Sequence, residues 1–271
     1  MFDPNAPLIH HVERVFGSTH HDPKEFESVL MPGHLSLYGM ARAIAFAATA
    51  HAAVLKINRG FDPNRNSGWV VLGLRLRTLK PVPLNTAISC TTWVAAIDGA
   101  RLIREYELHI GNESLAVATQ DFVLFDRDSR RAMLPPRAAR EFLRGLDRKH
   151  SYELTIPRQA ELLSAASIIT SASSSDFCID KTTIDDNNHL NNSIYIRWLE
   201  QTARIHPATK LELGLEYLNE AVLGDTVTLK TTATTNATNF TFQTHEKTFA
   251  HGKCHLLSVT EEVDRSTSSE F

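Results

Sequence analysis

The sequence predicts an α+β fold built from two similar halves in tandem, each a long helix wrapped by a curved antiparallel sheet. Two observations lead to this prediction. In each half an apolar helix precedes four strand-like segments that are separated by turn residues. In addition, LGLRLRTLKPVPLNTAI from Leu72 matches LGLEYLNEAVLGDTVTL from Leu213 with a one-residue gap. A repeated unit constrains the fold more strongly than any single element. The alternative is one large mixed sheet with an accidental repeat.

The first half begins with the apolar segment YGMARAIAFAATAHAAVLKI, residues 38–57, whose only charged residues are Arg42 and Lys56. A helix that is apolar on most sides is expected to be covered on most sides. The strands predicted after it are Trp69–Leu79, Ala87–Ala96, Arg101–Ile110 and Ser114–Phe125. Alternation of apolar and polar residues, as in residues 70–77, indicates sheet surfaces with one covered face.

The second half repeats this order. A helix is predicted from Ser193, as its N-cap, to Ile205, and the strands after it are Leu211–Leu218, Thr226–Thr235, Phe240–Glu246 and Gly252–Thr260. A long helix wrapped by a curved antiparallel sheet is the hotdog arrangement, so the predicted fold is a double hotdog. The expected division is an N-terminal hotdog domain at residues 1–130, a linker at 131–170 and a C-terminal hotdog domain at 171–271.

Composition and charge exclude several function classes. The chain of 271 residues is 42% hydrophobic and 22% charged, with a net charge of -3, which argues against bulk binding of nucleic acid. Its three cysteines, Cys90, Cys178 and Cys254, are far apart, so neither a disulfide framework nor a cysteine zinc site is expected. No signal peptide and no membrane span are predicted, and a reducing, cytoplasmic location is expected.

A basic segment, DRDSRRAMLPPRAAREFLRGLDRK, connects the halves from Asp126 to Lys149. Arginines recur in it at spacings of three, four and four, which places them on one face of a short helix after Pro136: Arg137, Arg140, Arg144 and Arg148. One interpretation is a solvated linker helix. The other is a docking site for an acidic partner.

The most polar segment of the chain lies just before the second helix. IDDNNHLNNSIYIRWLEQ, residues 184–201, carries seven Asp, Asn and His side chains within eight residues, which predicts a loop. The residues after it have an apolar stripe at helical spacing. The loop therefore brings an acid, an imidazole and several amides to a helix N-terminus, where free N–H groups favour negative charge.

The spacing Asp185-x-Asn187-x-His189-x-Asn191-Asn192, followed by Tyr195, Trp198 and Glu200, resembles the signature of the acyl-acyl carrier protein (acyl-ACP) thioesterases. GWVVLGLRLRTLKPVPLNTAISCTTWVAA, FDRDSRRAMLPP and EYLNEAVLGDTVTL are similar to further segments of that family. The resemblance implies a double hotdog fold, a phosphopantetheine-linked acyl substrate carried by acyl carrier protein, and no metal or organic cofactor.

By position, the resemblance assigns catalysis to Asp185, Asn187, His189 and Glu220. Asn192 and Trp198 are further candidates for substrate contact, although Asn191 and Asn192 are expected mainly to fix the loop and the helix start. Hydrolysis of a thioester needs a base that activates water and donors that stabilise the oxyanion. A carboxylate or the imidazole can be the base, and which one acts is left open here. The amides at the helix start near Ser193 are candidate oxyanion donors.

One departure from the family concerns a cysteine. Plant members of the family have a cysteine directly after the acid that matches Glu220, and this chain has Ala221 there. A covalent route through that position is therefore excluded, which leaves attack by water.

The first half lacks the acidic loop, so one active site per chain is expected. Its corresponding segment, VLMPGHLSLYG, offers only His34 as an ionisable group, and the position that matches Glu220 is expected at Leu79 or Lys80. The alanine-rich helix of that half is expected to line the acyl pocket through Ala43, Ala47 and Ala50, because small side chains leave volume beside a helix.

Three other functions compete with acyl-ACP hydrolysis. A hotdog thioesterase that acts on acyl-coenzyme A would have the same loop, since both substrates end in a pantetheine thioester. A hotdog hydratase or dehydratase would need a different Asp and His arrangement. A non-catalytic acyl-binding protein would not need the acid, amide and imidazole set. A homodimer and the acyl chain length are left open.

Overall fold

The computed structural model describes residues 9–15, 23–57, 60–62, 64–144, 171–185, 187–206 and 210–257. Four helices are present in these ranges: α1 Pro23–Phe26, α2 Leu37–Val54, α3 Arg137–Arg144 and α4 Asn192–Ala203. The strands before the linker are β1 Ile9–Val15, β2 Ser67–Thr78, β3 Ala87–Asp98, β4 Arg101–Ile110, β5 Glu113–Asp126 and β6 Arg131–Ala132. Those after it are β7 Ser171–Cys178, β8 Leu211–Tyr217, β9 Thr226–Ala233, β10 Ala237–Gln243 and β11 Thr248–Leu256.

All of these strands belong to one antiparallel sheet. Its order is β1-β3-β4-β5-β2-β8-β11-β10-β9-β7, with β6 paired to β5. The two halves meet at its centre, where residues 73–77 of β2 pair with residues 212–216 of β8. On the inner side Leu74 pairs with Leu215 and Leu76 with Leu213, and all four are buried in the main core.

The outer side of this central junction is polar, and Arg75, Glu212 and His251 are buried there. Glu212 accepts ion pairs from two arginines of the other half, at 3.0 Å from Arg75 Nε and 2.5 Å from Arg77 Nη2. Next to it, the buried His251 lies 2.9 Å from Glu216 through Nε2. Opposite charges therefore face each other across β2 and β8 on the outer side. They stabilise the same pairing register of β2 with β8 that brings the leucines together on the inner side.

The helices α2 and α4 contact each other, and the buried residues of both belong to one core cluster that spans the two halves. The start of α2 is held from two sides. Ser36 is its N-cap and accepts from Gly39 N at 3.0 Å. Glu200 of α4 accepts from Leu37 N at 3.2 Å and from Tyr38 N at 3.4 Å. A carboxylate of the second half therefore caps the long helix of the first.

The predicted fold class is confirmed, with shifts at the element ends. The first helix is Leu37–Val54 and the strands of both halves lie where the sequence predicts them, within a few residues. Two edge strands, β1 and β7, were not predicted. The reason is visible in β7, SASSSDFC, which is mostly serine and largely exposed, so it has little of the apolar alternation of a covered strand.

The N-cap of α4 is Asn191, not Ser193. Asn191 has extended backbone, and its Oδ1 accepts from Ser193 N at 3.0 Å and from Ser193 Oγ at 2.7 Å. Ser193 is itself buried inside the first turn. Asn is as good an N-cap as Ser, so the sequence alone does not distinguish the two positions.

Equivalent backbone hydrogen bonds in the two halves correct the expected alignment of their sequence positions. Leu79 N and Lys80 N both donate to Leu115 O, as Leu218 N and Asn219 N both donate to Phe249 O. Counting on from these pairs, Glu220 corresponds to Pro81 rather than to Leu79 or Lys80. Further along, Asn85 and Gly224 also correspond, and both have positive φ. The first half therefore has no carboxylate at this position.

The basic linker is described only in part. Arg137, Arg140 and Arg144 lie in α3, whose Ala139 is fully buried. Arg137 is exposed and paired with Glu141, with 2.7 Å between Nε and Oε1, whereas Arg140 is half-buried. Arg148 lies outside the described residues. Across the part of the chain that is described, no helix is both long and apolar enough to cross a membrane.

The contact of Glu200 with α2 generates a prediction about stability. Burial is the main reason that the pKa of Glu200 is raised from 4.5 to about 7, and the two backbone N–H groups only partly offset it. Since the folded pKa lies above the unfolded one, this contribution to stability is complete below about pH 4.5 and is lost as the pH rises through 7. Glu200→Gln keeps an acceptor without a charge. We expect the variant to exceed the parent in stability at pH 8 by about 1–3 kcal/mol and to match it near pH 5.

Denaturant unfolding at pH 5, 6, 7 and 8 measures this difference. Parallel pH profiles for the two proteins would contradict it, because they would show that Glu200 does not change its protonation on unfolding in that range.

Candidate active site

The acidic loop is a compact turn closed by its own backbone. Asp185 N donates to His189 O at 2.8 Å, and Asn188 N donates to Asp185 O at 3.0 Å. Asn188 has φ 62, a left-handed conformation that Asn tolerates better than most residues. The loop then joins α4, so its side chains are held at the start of that helix.

The carboxylate of Asp185 is used largely inside the loop. Its Oδ1 accepts from Asn187 N at 2.8 Å and from His189 N at 3.2 Å, and its Oδ2 lies 3.4 Å from Asn187 Nδ2. An Asp in this arrangement fixes the backbone that presents the amide and the imidazole.

A second segment, between β8 and β9, brings Glu220 to the loop. Leu190 N donates to Ala221 O at 2.8 Å, and His189 forms a β-bridge with Val222. These contacts place His189 Nε2 at 3.7 Å from Glu220 Oε2. Both side chains are partly exposed, at 35% and 39%, so water can reach them.

Two cations also surround Glu220. Arg130, which follows β5, donates from Nη2 to Glu220 Oε2 at 2.9 Å, and Lys247 donates from Nζ to Glu220 O at 2.8 Å. The hydrogen bond from Arg130 is the largest cause of a lowered pKa at Glu220, and the charges of His189 and Lys247 act in the same direction. Glu220 is therefore ionised at neutral pH, beside an imidazole whose charged form it would stabilise.

Most amides near the start of α4 are already engaged. Ser193 N is bonded to the Asn191 side chain and Ile194 N to Asn191 O, so the amides near Ser193 that the sequence suggested as oxyanion donors have acceptors already. Between residues 187 and 194, in the part described, only the Asn192 amide carries no hydrogen bond. The side-chain amide of Asn187 is the other donor in the loop.

A cavity of about 300 Å³ opens beside this loop and extends along the first half. Asn187 is the loop residue in its wall, and Arg127 is another polar group there. The remaining wall comes from α2, the segment after it, and strands β2, β4 and β5, with mostly apolar side chains: Ala45, Ala48, Thr49, Ala52, Ile57, Trp69, Val71, Leu102, Arg104, Gln120 and Phe122. This volume is at the lower end of the range for ligand pockets in proteins.

The wall uses a different face of α2 from the one predicted. Ala43 and Ala47 are buried in the main core, and neither they nor Ala50 line this cavity. The residues that do line it, Ala45, Ala48, Thr49 and Ala52, share one helix face. The sequence identified the helix correctly, but its alanines occur on several faces.

The two predicted substrate contacts at and after the start of α4 do not line the cavity. Trp198 is buried in the core, stacked on Phe177 with 4.6 Å between ring centroids. Asn192 accepts a hydrogen bond at its backbone oxygen from Tyr217 Oη at 3.0 Å. Neither residue is part of the cavity wall.

The three cysteines lie outside this site. Cys90 and Cys254 are buried, and burial raises the pKa of each thiol to about 12, so both are protonated at neutral pH. Cys178 is exposed in β7. Among the described residues, no group of three or more His, Cys, Asp or Glu side chains is arranged to hold a metal ion.

Sequence reasoning missed five charged or amide side chains that the fold brings to the site or the cavity: Arg127, Arg130, Lys247, Arg104 and Gln120. The last two had a signal in the sequence. In β4 the inward positions read Leu102, Arg104, Tyr106, Leu108, so an arginine occupies a core position of an alternating strand. Arg130 and Lys247 had none, because they contact Glu220 only through the tertiary structure.

Comparison with protein families identifies both halves of the chain. The profile of the acyl-ACP thioesterase N-terminal domain matches residues 31–142, and that of the C-terminal domain matches residues 167–261. Together they cover most of the chain. A comparison with curated protein sequences finds no match.

Solved structures share the fold at low sequence identity. An acyl-ACP thioesterase from Bacteroides thetaiotaomicron superposes with a TM-score of 0.69 at 14% identity, over 92% of this chain and 98% of that one. The 12:0-ACP thioesterase from Umbellularia californica gives 0.68 at 16% identity, over 93% and 98%. A MaoC-like dehydratase from Phytophthora capsici gives 0.56 at 11% identity, over 96% and 98%. Thioesterases and a dehydratase thus share this fold, so the fold alone does not define the reaction.

The two family profiles decide between these reactions, because both describe acyl-ACP thioesterases and they match the halves in the expected order. The chain therefore belongs to the acyl-ACP thioesterase family, the thiolester hydrolases that release a fatty acid from acyl carrier protein.

Proposed function

We propose that His189, assisted by Glu220, is the general base for hydrolysis of an acyl-ACP thioester at the mouth of the cavity. One observation carries this proposal: Asn187 belongs both to the loop that holds His189 and to the wall of the cavity. A thioester carbonyl bound next to Asn187 would have its acyl chain in the cavity and the imidazole beside it.

The reaction then follows from the charges of the site. His189 takes a proton from water, whose oxygen attacks the thioester carbon, and the ionised Glu220 stabilises the imidazolium that forms. Asn187 Nδ2 and the Asn192 amide are the donors left for the oxyanion. As the C–S bond breaks, the imidazolium returns its proton to the pantetheine sulfur.

Asp185 has a positioning role in this mechanism. Its Oδ1 accepts from two loop amides, so we assign Asp185 to holding the loop rather than to activating water. No cysteine has a role in this mechanism, because Cys90 and Cys254 are buried as thiols, Cys178 does not line the cavity, and Ala221 occupies the position next to Glu220.

For the carrier, we propose that the arginines of α3 attract the acidic surface of acyl carrier protein. Arg137 is exposed on a helix that is anchored by the buried Ala139. Arg140 and Arg144 follow on the same helix, and Arg148 extends the predicted series beyond the described residues. This favours the carrier over coenzyme A, which lacks a protein surface to dock.

The proposed mechanism predicts different effects for three substitutions. Glu220→Gln and His189→Gln should each lower kcat on acyl-ACP by about 10²–10⁴-fold, because they remove the base or its charge partner. Asp185→Asn should lower it less than about tenfold, because the Asn side-chain oxygen can still accept from the loop amides. Single-turnover kinetics with melting temperatures for all three variants measure this. If Asp185→Asn is as inactive as His189→Gln while still folded, Asp185 is the base instead.

Arg130→Gln adds a pH readout to the same experiment. Without its main partner, the pKa of Glu220 should rise toward the ordinary value. The lost cation also opposed protonation of the neighbouring base, so the acid limb of kcat/KM, which reports that base, should move to higher pH. A merely structural role of Arg130 would lower activity equally at every pH.

The docking proposal predicts an effect that depends on the carrier. Arg137→Glu together with Arg144→Glu should lower kcat/KM on acyl-ACP, most at low ionic strength, and leave an acyl-coenzyme A of the same chain unchanged. Lys230→Glu reverses an exposed charge in β9, far along the sheet, and is the control. Equal losses on both substrates would instead assign a folding role to α3.

The cavity predicts which alanine sets chain length. Ala45→Phe, in the wall, should exclude the longest acyl chains without loss of stability, since each methylene denied burial forfeits about 0.8 kcal/mol. Ala47→Phe, in the core, should instead cost about 1–3 kcal/mol of stability and keep the chain-length profile. Chain-length profiles and melting temperatures of both variants measure this. If Ala47→Phe changes the preferred acyl-chain length and Ala45→Phe does not, the acyl pocket lies on the other face of α2.

A further inference from the structure

Two polar side chains lie side by side in the wall of the otherwise mostly apolar cavity. Arg104 of β4 and Gln120 of β5 are directly paired across the sheet and both face inward. They are only 3% and 6% exposed. An arginine and an amide this deeply buried need hydrogen-bond acceptors.

The protein supplies acceptors for only part of this pair. Arg104 donates from Nη1 to His51 Nδ1 at 2.6 Å and to Thr92 Oγ1 at 3.4 Å, both uncharged acceptors. Within the described residues, no Asp or Glu carboxylate forms an ion pair with it. A buried guanidinium without an anion is unfavourable, and Arg104 is one of the residues that line the cavity.

Gln120 is in the same situation. Its Oε1 accepts from Tyr106 Oη at 2.6 Å, which fixes the orientation of the amide. The Nε2 group carries no hydrogen bond to any described residue. The cavity wall therefore presents donors from two neighbouring side chains.

The fold itself does not require this pair. When the alignment of Pro81 with Glu220 is continued along the strands, the pair that corresponds to Arg104 and Gln120 in the second half is Thr238 and Cys254. That pair carries no charge, and Cys254 is buried in the core. The same sheet position is thus filled without a cation in the second half.

We propose that the acyl chain of the substrate carries an oxygen acceptor, as a carboxylate, oxo or hydroxyl group, that binds Arg104 and Gln120. This inference rests on the proposed function, because it assumes that the cavity holds the acyl chain. A carboxylate would complement the pair most fully, since it supplies both the missing charge and two acceptor oxygens. A plain hydrocarbon chain would leave the guanidinium without an anion.

The test measures binding apart from hydrolysis. Glu220→Gln, used as the parent because it should bind without turnover, is titrated calorimetrically with coenzyme A thioesters of one chain length. Their chain ends carry a methyl, a hydroxyl, an oxo or a carboxylate group. We expect the best oxygenated chain to bind about ten- to a hundredfold more tightly than the plain one. The order among the oxygenated chains identifies the acceptor.

Two further substitutions in this parent assign the preference to the pair. Arg104→Met should abolish it, whereas Arg101→Met, which removes a half-exposed arginine from the same strand, should keep it. Gln120→Glu should reject the carboxylate chain specifically, because the new carboxylate would pair with Arg104 and still accept from Tyr106. Because Glu and Gln have nearly the same size, Gln120→Glu should keep the packing of the protein. It therefore remains informative if Arg104→Met does not fold.

Equal binding of plain and oxygenated chains by the parent, or a preference unchanged in Gln120→Glu, would overturn the inference. The proposed function could fail while the ligand assignment holds. This would be the result if binding depended on Arg104 but the unsubstituted protein hydrolysed none of these thioesters, carried either by coenzyme A or by ACP.

Discussion

The antiparallel junction of β2 with β8 is the constraint on which the rest of the structure depends. A shift of one residue there would exchange the inner leucines for the outer charges, because side chains alternate between the faces of a strand. The ion pairs of Glu212 with Arg75 and Arg77 stabilise the register from the outside, and the buried leucines stabilise it from the inside. The junction makes two repeats into one continuous sheet, so both helices pack into one shared core.

This continuity explains how the halves divide the work of the site. The second half provides the loop and Glu220, and the first half provides most of the cavity and Arg130. Glu200 strengthens the same connection, because a side chain of α4 caps the helix that lines the cavity. Neither half has a complete site, which is consistent with one site per chain despite the duplicated fold.

The electrostatics of the site separate three carboxylate environments that look alike in the sequence. Asp185 is occupied by backbone amides, Glu220 is held ionised by Arg130, and Glu200 has a pKa raised by burial. The roles assigned to them, of loop organiser, charge partner and helix cap, follow from these surroundings. Arg104 presents the opposite case, because it is a buried cation for which the described residues provide no anion. It gives the mostly apolar cavity a positively charged hydrogen-bond donor.

The sequence by itself determined the repeated helix-and-sheet pattern, the polar loop from Asp185 to His189 and the family signature, because these are local in the chain. Periodicity is written into consecutive residues, and Asn and Asp favour loops wherever they cluster. The tertiary structure alone decided the face of α2 that borders the cavity, the N-cap at Asn191 and the match of Glu220 with Pro81. It also decided the contacts of Arg130 with Glu220 and of Arg104 with Gln120. These depend on packing and register between segments far apart in the chain, and a single sequence records neither the rotation of a helix nor the partner of a strand.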